Sequence, residues 1–171
     1  MTEMNHGRDA YEIGRLLAGA ASTIKSVRYC WLVTEAEDGG ANPRAMGRLL
    51  QGDGEDAWTI RFVCDGRSRK VADMRRADRV TLIFQHDSDD AYMTLFGKAR
   101  LRDSAAEVRA RWKEAFAAHF PTEADRANAV FVEVPVKRME LWIRGVTPEP
   151  FGLQTTVLER DVRGCWRVIA R

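Results

Sequence analysis

The segment Cys64-Asp65-Gly66-Arg67-Ser68-Arg69-Lys70 joins an apolar alternating run to a short amphipathic one through a glycine. At such a junction a strand hands over to a helix, whose first turn leaves backbone N–H groups unpaired and carries partial positive charge. Ser68 adds a hydroxyl, and Arg69 and Lys70 add the charge that neutralises a dianion, so the chemistry is capture of a phosphate ester. Cations in a helix's first turn oppose its dipole, which favours an anion that compensates them. The same three cations, Arg67 included, also read as a solvated first turn. A second segment, Asn42-Pro43-Arg44-Ala45-Met46-Gly47-Arg48, puts small residues and an arginine into an extended run. A flat ligand could approach its backbone while Arg44 reaches a phosphate or ring oxygen; an ordinary strand with Arg44 and Arg48 on its wet face fits as well. Trp142, between Leu141 and Ile143, either stacks on a ring or fills the core.

Covalent and metal chemistry find no such support. Cys30 and Cys64 lie in apolar runs, as buried hydrophobes do, and Cys165 stands apart, so neither a disulfide framework nor a zinc knuckle is suggested. His6, His86 and His119 have no partner at metal-ligand spacing. An odd number of separated cysteines, with no secretory signal and no long apolar window, predicts a soluble cytoplasmic protein.

These residues must be positioned by 171 residues, enough for one domain with a substantial core. Lys plus Arg total 27 and Asp plus Glu 25, a net charge of +2, without the basic excess of a nucleic-acid or membrane-surface protein. Neither partner is expected. With 45% hydrophobic and 30% charged residues the chain is ordinarily globular. Arginine outnumbers lysine 22 to 5, so a lone arginine carries little weight.

Ile13, Leu16, Leu17 and Ala20 recur at helical spacing and predict a helix over residues 9–21, stopped by Ser22-Thr23. Residues 27–34, 41–51 and 58–64 alternate and are separated by Gly-rich turns, a three-strand meander with Tyr29, Trp31 and Val33 on one face of its first strand. Residues 68–76 predict a short helix capped by Asp65 or Ser68. Strands follow over 80–85 and 92–101, the second with Gly97 as a bulge or close backbone approach. Ser104 and Glu107 form a capping-box pattern, and Val108, Trp112, Ala115, Phe116 and His119 mark one helical face up to Pro121. Residues 129–134 and 139–143 complete the strands, with Pro135 at an edge, kink or bulge, and two short apolar runs around 161–164 suggest a terminal hairpin. The predicted architecture is mainly β (α+β): a small antiparallel barrel of six strands with two inserted helices, in one domain spanning 1–171.

The order of these segments is distinctive. Ile24-Lys25-Ser26-Val27-Arg28 enters the first strand; Pro43-Arg44-Ala45-Met46, Phe62 through Val71, Tyr92-Met93-Thr94-Leu95-Phe96-Gly97-Lys98-Ala99 and Met139-Glu140-Leu141-Trp142 follow. Over roughly residues 10–145 the chain resembles the pyridoxamine 5'-phosphate oxidase-like FMN-binding split barrels, most of all their general stress protein branch. The resemblance implies a six-stranded antiparallel split β-barrel with flanking helices, barrel about 24–145 and C-terminal extension about 146–171, and FMN at the interface of a homodimer, its phosphate held by Arg44, Ser68, Arg69 and Lys70. It implies Ala45, Met46, Val63 and Cys64 along the ring and ribityl chain, and Tyr92 and Trp142 approaching from the partner subunit. The flavin carries the electron chemistry, so no catalytic side chain is required. Leu49 stands where true pyridoxamine phosphate oxidases have a substrate-binding lysine, and Ile143-Arg144-Gly145 replaces their Arg-x-His segment. The expectation is therefore a flavin-dependent oxidoreductase acting on another small molecule. The alternatives are a non-enzymatic protein that stores or senses flavin, and a deazaflavin-dependent reductase; FAD is the other possible cofactor.

Overall fold

The computed structural model describes the backbone of residues 2–170 and the side chains of residues 9–169; Met1, His6 and Arg171 lie outside the described side chains. Helix α1 spans Thr2–Ser26. It outruns the expected stop at Ser22-Thr23 because the Thr23 and Ser26 hydroxyls donate back to the carbonyls of Gly19 and Ser22, keeping their polar atoms within the helix. Leu16, Ala20 and Ile24 form its buried stripe, continued by Val27 just past its end.

The strands are β1 (Tyr29–Glu35), β2 (Ala41–Gly47), β3 (Thr59–Asp65), β4 (Arg79–His86), β5 (Ala91–Lys98), β6 (Arg100–Arg102), β7 (Ala129–Ile143), β8 (Thr156–Arg160) and β9 (Trp166–Ala170). All ladders are antiparallel, in the order β2-β1-β4-β5-β7-β8-β9, with β3 and β6 also pairing β7. The mostly antiparallel architecture with flanking helices is thus as expected. The extra strands arise because the fifth divides at Ala99 into β5 and β6, and because β8 and β9 add the terminal hairpin to β7.

Strand β7 is fifteen residues long and serves two sheet halves, β3 and β6 on its first part and β5 and β8 on its second. Its inward residues switch from Val132, Val134 and Val136 to Met139, Leu141 and Ile143, so the strand bends near Lys137. Opposite the bend the register shifts between Phe96 and Gly97. A Cβ on Gly97 would sit 2.6 Å from the Pro135 carbonyl oxygen, which only glycine tolerates. Both expectations, for Gly97 and for Pro135, are met at this one corner.

Strands β2 and β3 form the seam. Their chain meets once, where the Leu49 amide donates to the Arg61 carbonyl (2.8 Å). Toward Arg44 and Asp65 no further backbone hydrogen bond joins them among the described residues, and the sheet does not close.

The segment after β6 departs from expectation. Helix α3 covers only Ala105–Arg111, followed by a 3₁₀ turn, Glu114–Ala118. Arg111 donates to the Glu133 carboxylate, and Trp112 leaves helical geometry to pack edge-on against Phe116 and Phe120, each at 5.9 Å. Tertiary contacts here override helical periodicity. Helix α4, Glu123–Ala127, was not expected, although its Thr122/Asp125 capping box stands in the sequence.

Candidate functional site

Helix α2 (Arg69–Arg76) begins immediately beyond β3, at the open end of the seam. Gly66 permits this turn by close approach: its amide donates to the Asn128 carbonyl (2.7 Å), and an added Cβ would lie 3.0 Å from that oxygen. Ser68 occupies the N-cap position, but its hydroxyl donates to the Asp65 carbonyl (2.6 Å) instead of capping α2, and no acid lies in the helix's first turn. The helix start therefore keeps its positive end uncompensated.

The cations of this turn divide sharply. Arg67 is consumed by the protein, its Nη2 2.6 Å from Asp65 and 2.9 Å from Asp125. Hydrogen bonds from the Arg67 side chain and amide hold the Asp65 carboxyl down at about 2. Arg69 and Lys70 have neither a salt-bridge nor a hydrogen-bond partner among the described residues. Arg69 is exposed, and half-buried Lys70 lies close enough to Cys64 for its charge to act on that thiol.

Arg44 completes the cluster. Its Nη2 donates to Thr34 Oγ1 (2.7 Å) and the Asn42 carbonyl (2.6 Å) and lies 3.4 Å from Asp73 Oδ2. Asp73, on the inner face of α2, also accepts from Thr34 Oγ1 (2.7 Å) and Asn42 Nδ2 (3.1 Å). Burial by itself would raise the Asp73 carboxyl, but the hydrogen bonds from Thr34, Asn42 and Arg44 outweigh it and hold it below its ordinary value. Arg44 is thus fixed through one nitrogen, and its Nη1 and Nε carry no bond among the described residues. Asp73, Thr34 and Asn42 were not singled out from the sequence. The available signal was an acid between Val71 and Met74 on the buried side of an amphipathic helix.

The expected site residues fall into groups. Arg44 and Met46 share the inward side of β2, whereas Ala45 faces outward. Cys64 is buried inside, and both Arg44 and Lys70 act on it electrostatically. Val63, on the opposite side of β3, packs against Phe116 and Phe131. Tyr92 and Trp142 stand opposite each other in register on the outer face of β5 and β7. Within one chain they lie on the other side of the sheet from Arg44, Tyr92 three strands and Trp142 four strands away in sheet order. Burial pushes the Cys30 and Cys64 thiols up to about 12 and about 11, which makes both poor nucleophiles.

This arrangement can hold a phosphate: two unpaired cations at a free helix start, a braced arginine with spare donors, and a seam whose backbone edges are open to a flat group. It fits FMN at its phosphate end. The sequence matches the family described as Pyridoxamine 5'-phosphate oxidase like over residues 18–155, most of the chain. The chain belongs to that family. Among curated proteins no relative matches the sequence. The fold of this pyridoxamine 5'-phosphate oxidase-like protein is shared with several solved structures. A Clostridium acetobutylicum protein related to general stress protein 26 superposes with a TM-score of 0.66 at 16% identity, over 84% of this chain and 93% of the other. A Nostoc punctiforme protein described as pyridoxamine 5'-phosphate oxidase-related and FMN binding gives 0.67 at 14% identity, over 96% and 95%. General stress protein 26 of Bacillus anthracis gives 0.54 at 15% identity, over 71% and 92%.

Proposed function

We propose that this protein binds FMN at the β2–β3 seam and works as an FMN-dependent oxidoreductase of the general stress protein type, in the cytoplasm, on a small molecule other than a vitamin B6 phosphate. The observation that carries the reading is the unspent charge at one place: Arg69 and Lys70 unpaired at the start of α2, beside an Arg44 fixed by Asp73 through Nη2 alone. Arg44, Ser68, Arg69 and Lys70 would hold the phosphate, with Met46 and Cys64 on the inward side of the seam. Bound FMN supplies the electron chemistry, and the chain's own residues bind it, orient it and keep water from its inner edge.

We further propose a homodimer. Tyr29 (56% exposed), Trp31 (47%) and Ile83 (37%) stand on the same outer face as Tyr92 and Trp142. An apolar face of this kind suits a second copy of the chain, and pairing through it brings Tyr92 and Trp142 of one protomer toward the cofactor of the other.

The test is the visible absorption spectrum of the purified protein, with the released cofactor identified by chromatography after heat denaturation. Oxidised-flavin bands and recovered FMN are expected. A colourless protein that takes up none of FMN, FAD or deazaflavin overturns the reading, and uptake of deazaflavin alone replaces it. Turnover with NADH or NADPH then separates an oxidoreductase from a protein that only stores flavin.

A further inference from the structure

The tip of the β8–β9 hairpin reaches the turn before β3, and a cavity of about 430 Å³ lies between these two, β6 and the bend of β7. That volume is in the range of small-molecule sites. Arg160 fastens the tip: its Nη1 and Nη2 donate to the two Asp56 carboxylate oxygens at 2.8 and 3.1 Å, and its Nε donates to the Gly164 carbonyl at 3.1 Å. Asp161 shapes the turn by accepting from the amides of Arg163 (2.8 Å) and Cys165 (2.9 Å). The backbone of Arg163 is thereby fixed beside the cavity. Thr59, which lines the cavity, and Asp65, beside α2, stand at opposite ends of β3, roughly 20 Å apart along the strand.

The charges around this cavity are unequally spent. Five cations and three acids line it, two positive charges in excess. Asp56 is taken by Arg160, and Asp161 by the turn. Arg61 and Arg100 stand directly opposite Glu133, one on each neighbouring strand. The two Glu133 oxygens are occupied instead by Arg102 (3.1 Å) and Arg111 (3.3 Å). Arg61 uses only Nη1, on the Thr59 carbonyl (3.0 Å) and Glu55 (3.3 Å). Arg100, Lys137 and Arg163 are exposed, and their side chains have no partner among the described residues. Three separate elements, β6, β7 and the hairpin tip, thus each bring one unspent cation to the same cavity.

We propose that this cavity binds a diphosphate group, its oxygens on Arg100, Lys137 and Arg163 with the spare guanidinium donors of Arg61 alongside. A single phosphate, at about −1.5 to −2, leaves part of three cations' charge unmet, whereas two linked phosphates carry more charge and span more distance. Tetrahedral phosphates also send oxygens to several sides, which suits cations on three elements; a planar carboxylate faces one guanidinium fork at a time. Pro135 and Val162 are the only apolar residues of the lining and no aromatic ring belongs to it, so the part recognised is the diphosphate itself and not an attached base. The hairpin tip lies beyond the stretch over which the chain matches its family. The site goes beyond the flavin reading and does not depend on it.

Isothermal titration of the purified protein with inorganic diphosphate tests the proposal, with ADP, orthophosphate and citrate as comparisons. One saturable diphosphate site per chain is expected that survives in the Arg69→Ala/Lys70→Ala protein, so loss of the flavin phosphate site and loss of this one are separate results. Orthophosphate and citrate should bind at least about tenfold more weakly there. Diphosphate binding without ADP binding makes the ligand inorganic, and equal binding of both makes it the diphosphate end of a larger molecule; either result supports the site. Arg100→Ala and Arg163→Ala should each weaken diphosphate about tenfold, and the triple variant with Lys137→Ala should abolish binding. All three side chains are exposed and unpaired, so thermal melts should match the parent protein. Absence of saturation at millimolar diphosphate, equal binding of orthophosphate or citrate, a triple variant that binds normally, or loss of the site in Arg69→Ala/Lys70→Ala would each overturn it.

Discussion

Arg44 and Asp73 meet between β2 and α2, Nη2 to Oδ2 at 3.4 Å, and the carboxylate is buried while the guanidinium keeps two nitrogens free. The pair joins a strand to the helix whose start presents Arg69 and Lys70, so a single acid aligns both halves of the anion site. Asp73→Asn removes the charge while keeping the side chain's shape. FMN affinity should fall about 10-fold to 100-fold, the worth of a charge-assisted hydrogen bond, with riboflavin affinity unchanged. Equal loss of both ligands would mean that Asp73 merely supports the fold.

The double variant Arg69→Ala/Lys70→Ala should release FMN yet melt at the parent's temperature, because neither side chain bonds to any of the described residues. Fluorescence titration with FMN checks this. Undiminished affinity would remove the phosphate assignment.

Trp31 tests the dimer. It is 47% exposed on the outer face, between Ala45 of β2 and Ile83 of β4. Trp31→Glu should give a monomer in sedimentation and lose flavin, since charge at the centre of an apolar interface is costly. A dimer that persists, or a monomer that keeps FMN tightly, contradicts a shared site.

Gly97 lies under the bend of β7. A side chain there meets the Pro135 carbonyl at 2.6 Å and Val134 Cγ1 at 2.8 Å, and backbone cannot give way as a side-chain tip can. Gly97→Ala should cost roughly 1–3 kcal/mol in denaturant unfolding. A variant as stable as the parent would show that the corner relaxes freely.

Acid should weaken the fold within a defined window. Asp65 is held at about 2, against an ordinary 3.8, chiefly by the Arg67 side chain, and Asp73 is also lowered. Folded values below unfolded ones give stability that is present above about pH 4 and lost as pH falls through the folded values. The melting temperature should drop between pH 4 and 2, and Asp65→Asn should flatten that drop. Parallel profiles for the two proteins would mean that Asp65 carries none of it.

The fold was legible where its causes are local. Alternation marked β1, β3, β4 and β5, a glycine amid apolar residues marked the corner at Gly97, and Ser104 with Glu107 marked the start of α3, where the Ser104 hydroxyl accepts from the Glu107 amide. The end of α3 was not legible, because Arg111 is drawn to Glu133, twenty-two residues away in sequence. Helix α4 was missed although its capping box is local, since five residues show too little periodicity to be read as a helix.

The candidate site divides along the same line. Sequence alone determined that Ser68, Arg69 and Lys70 open a helix after a strand, because glycine turns and amphipathic spacing are short-range steric and solvation effects. Which cations remain free was decided only in three dimensions. Arg67 is claimed by Asp125, fifty-eight positions on, and Arg44 is fixed by a carboxylate on another element. The aromatic cluster of Trp112, Phe116 and Phe131 likewise exists only because segments distant in sequence pack together. A side chain's charge is written in its residue type, but whether that charge is spent depends on which distant partners the fold delivers to it.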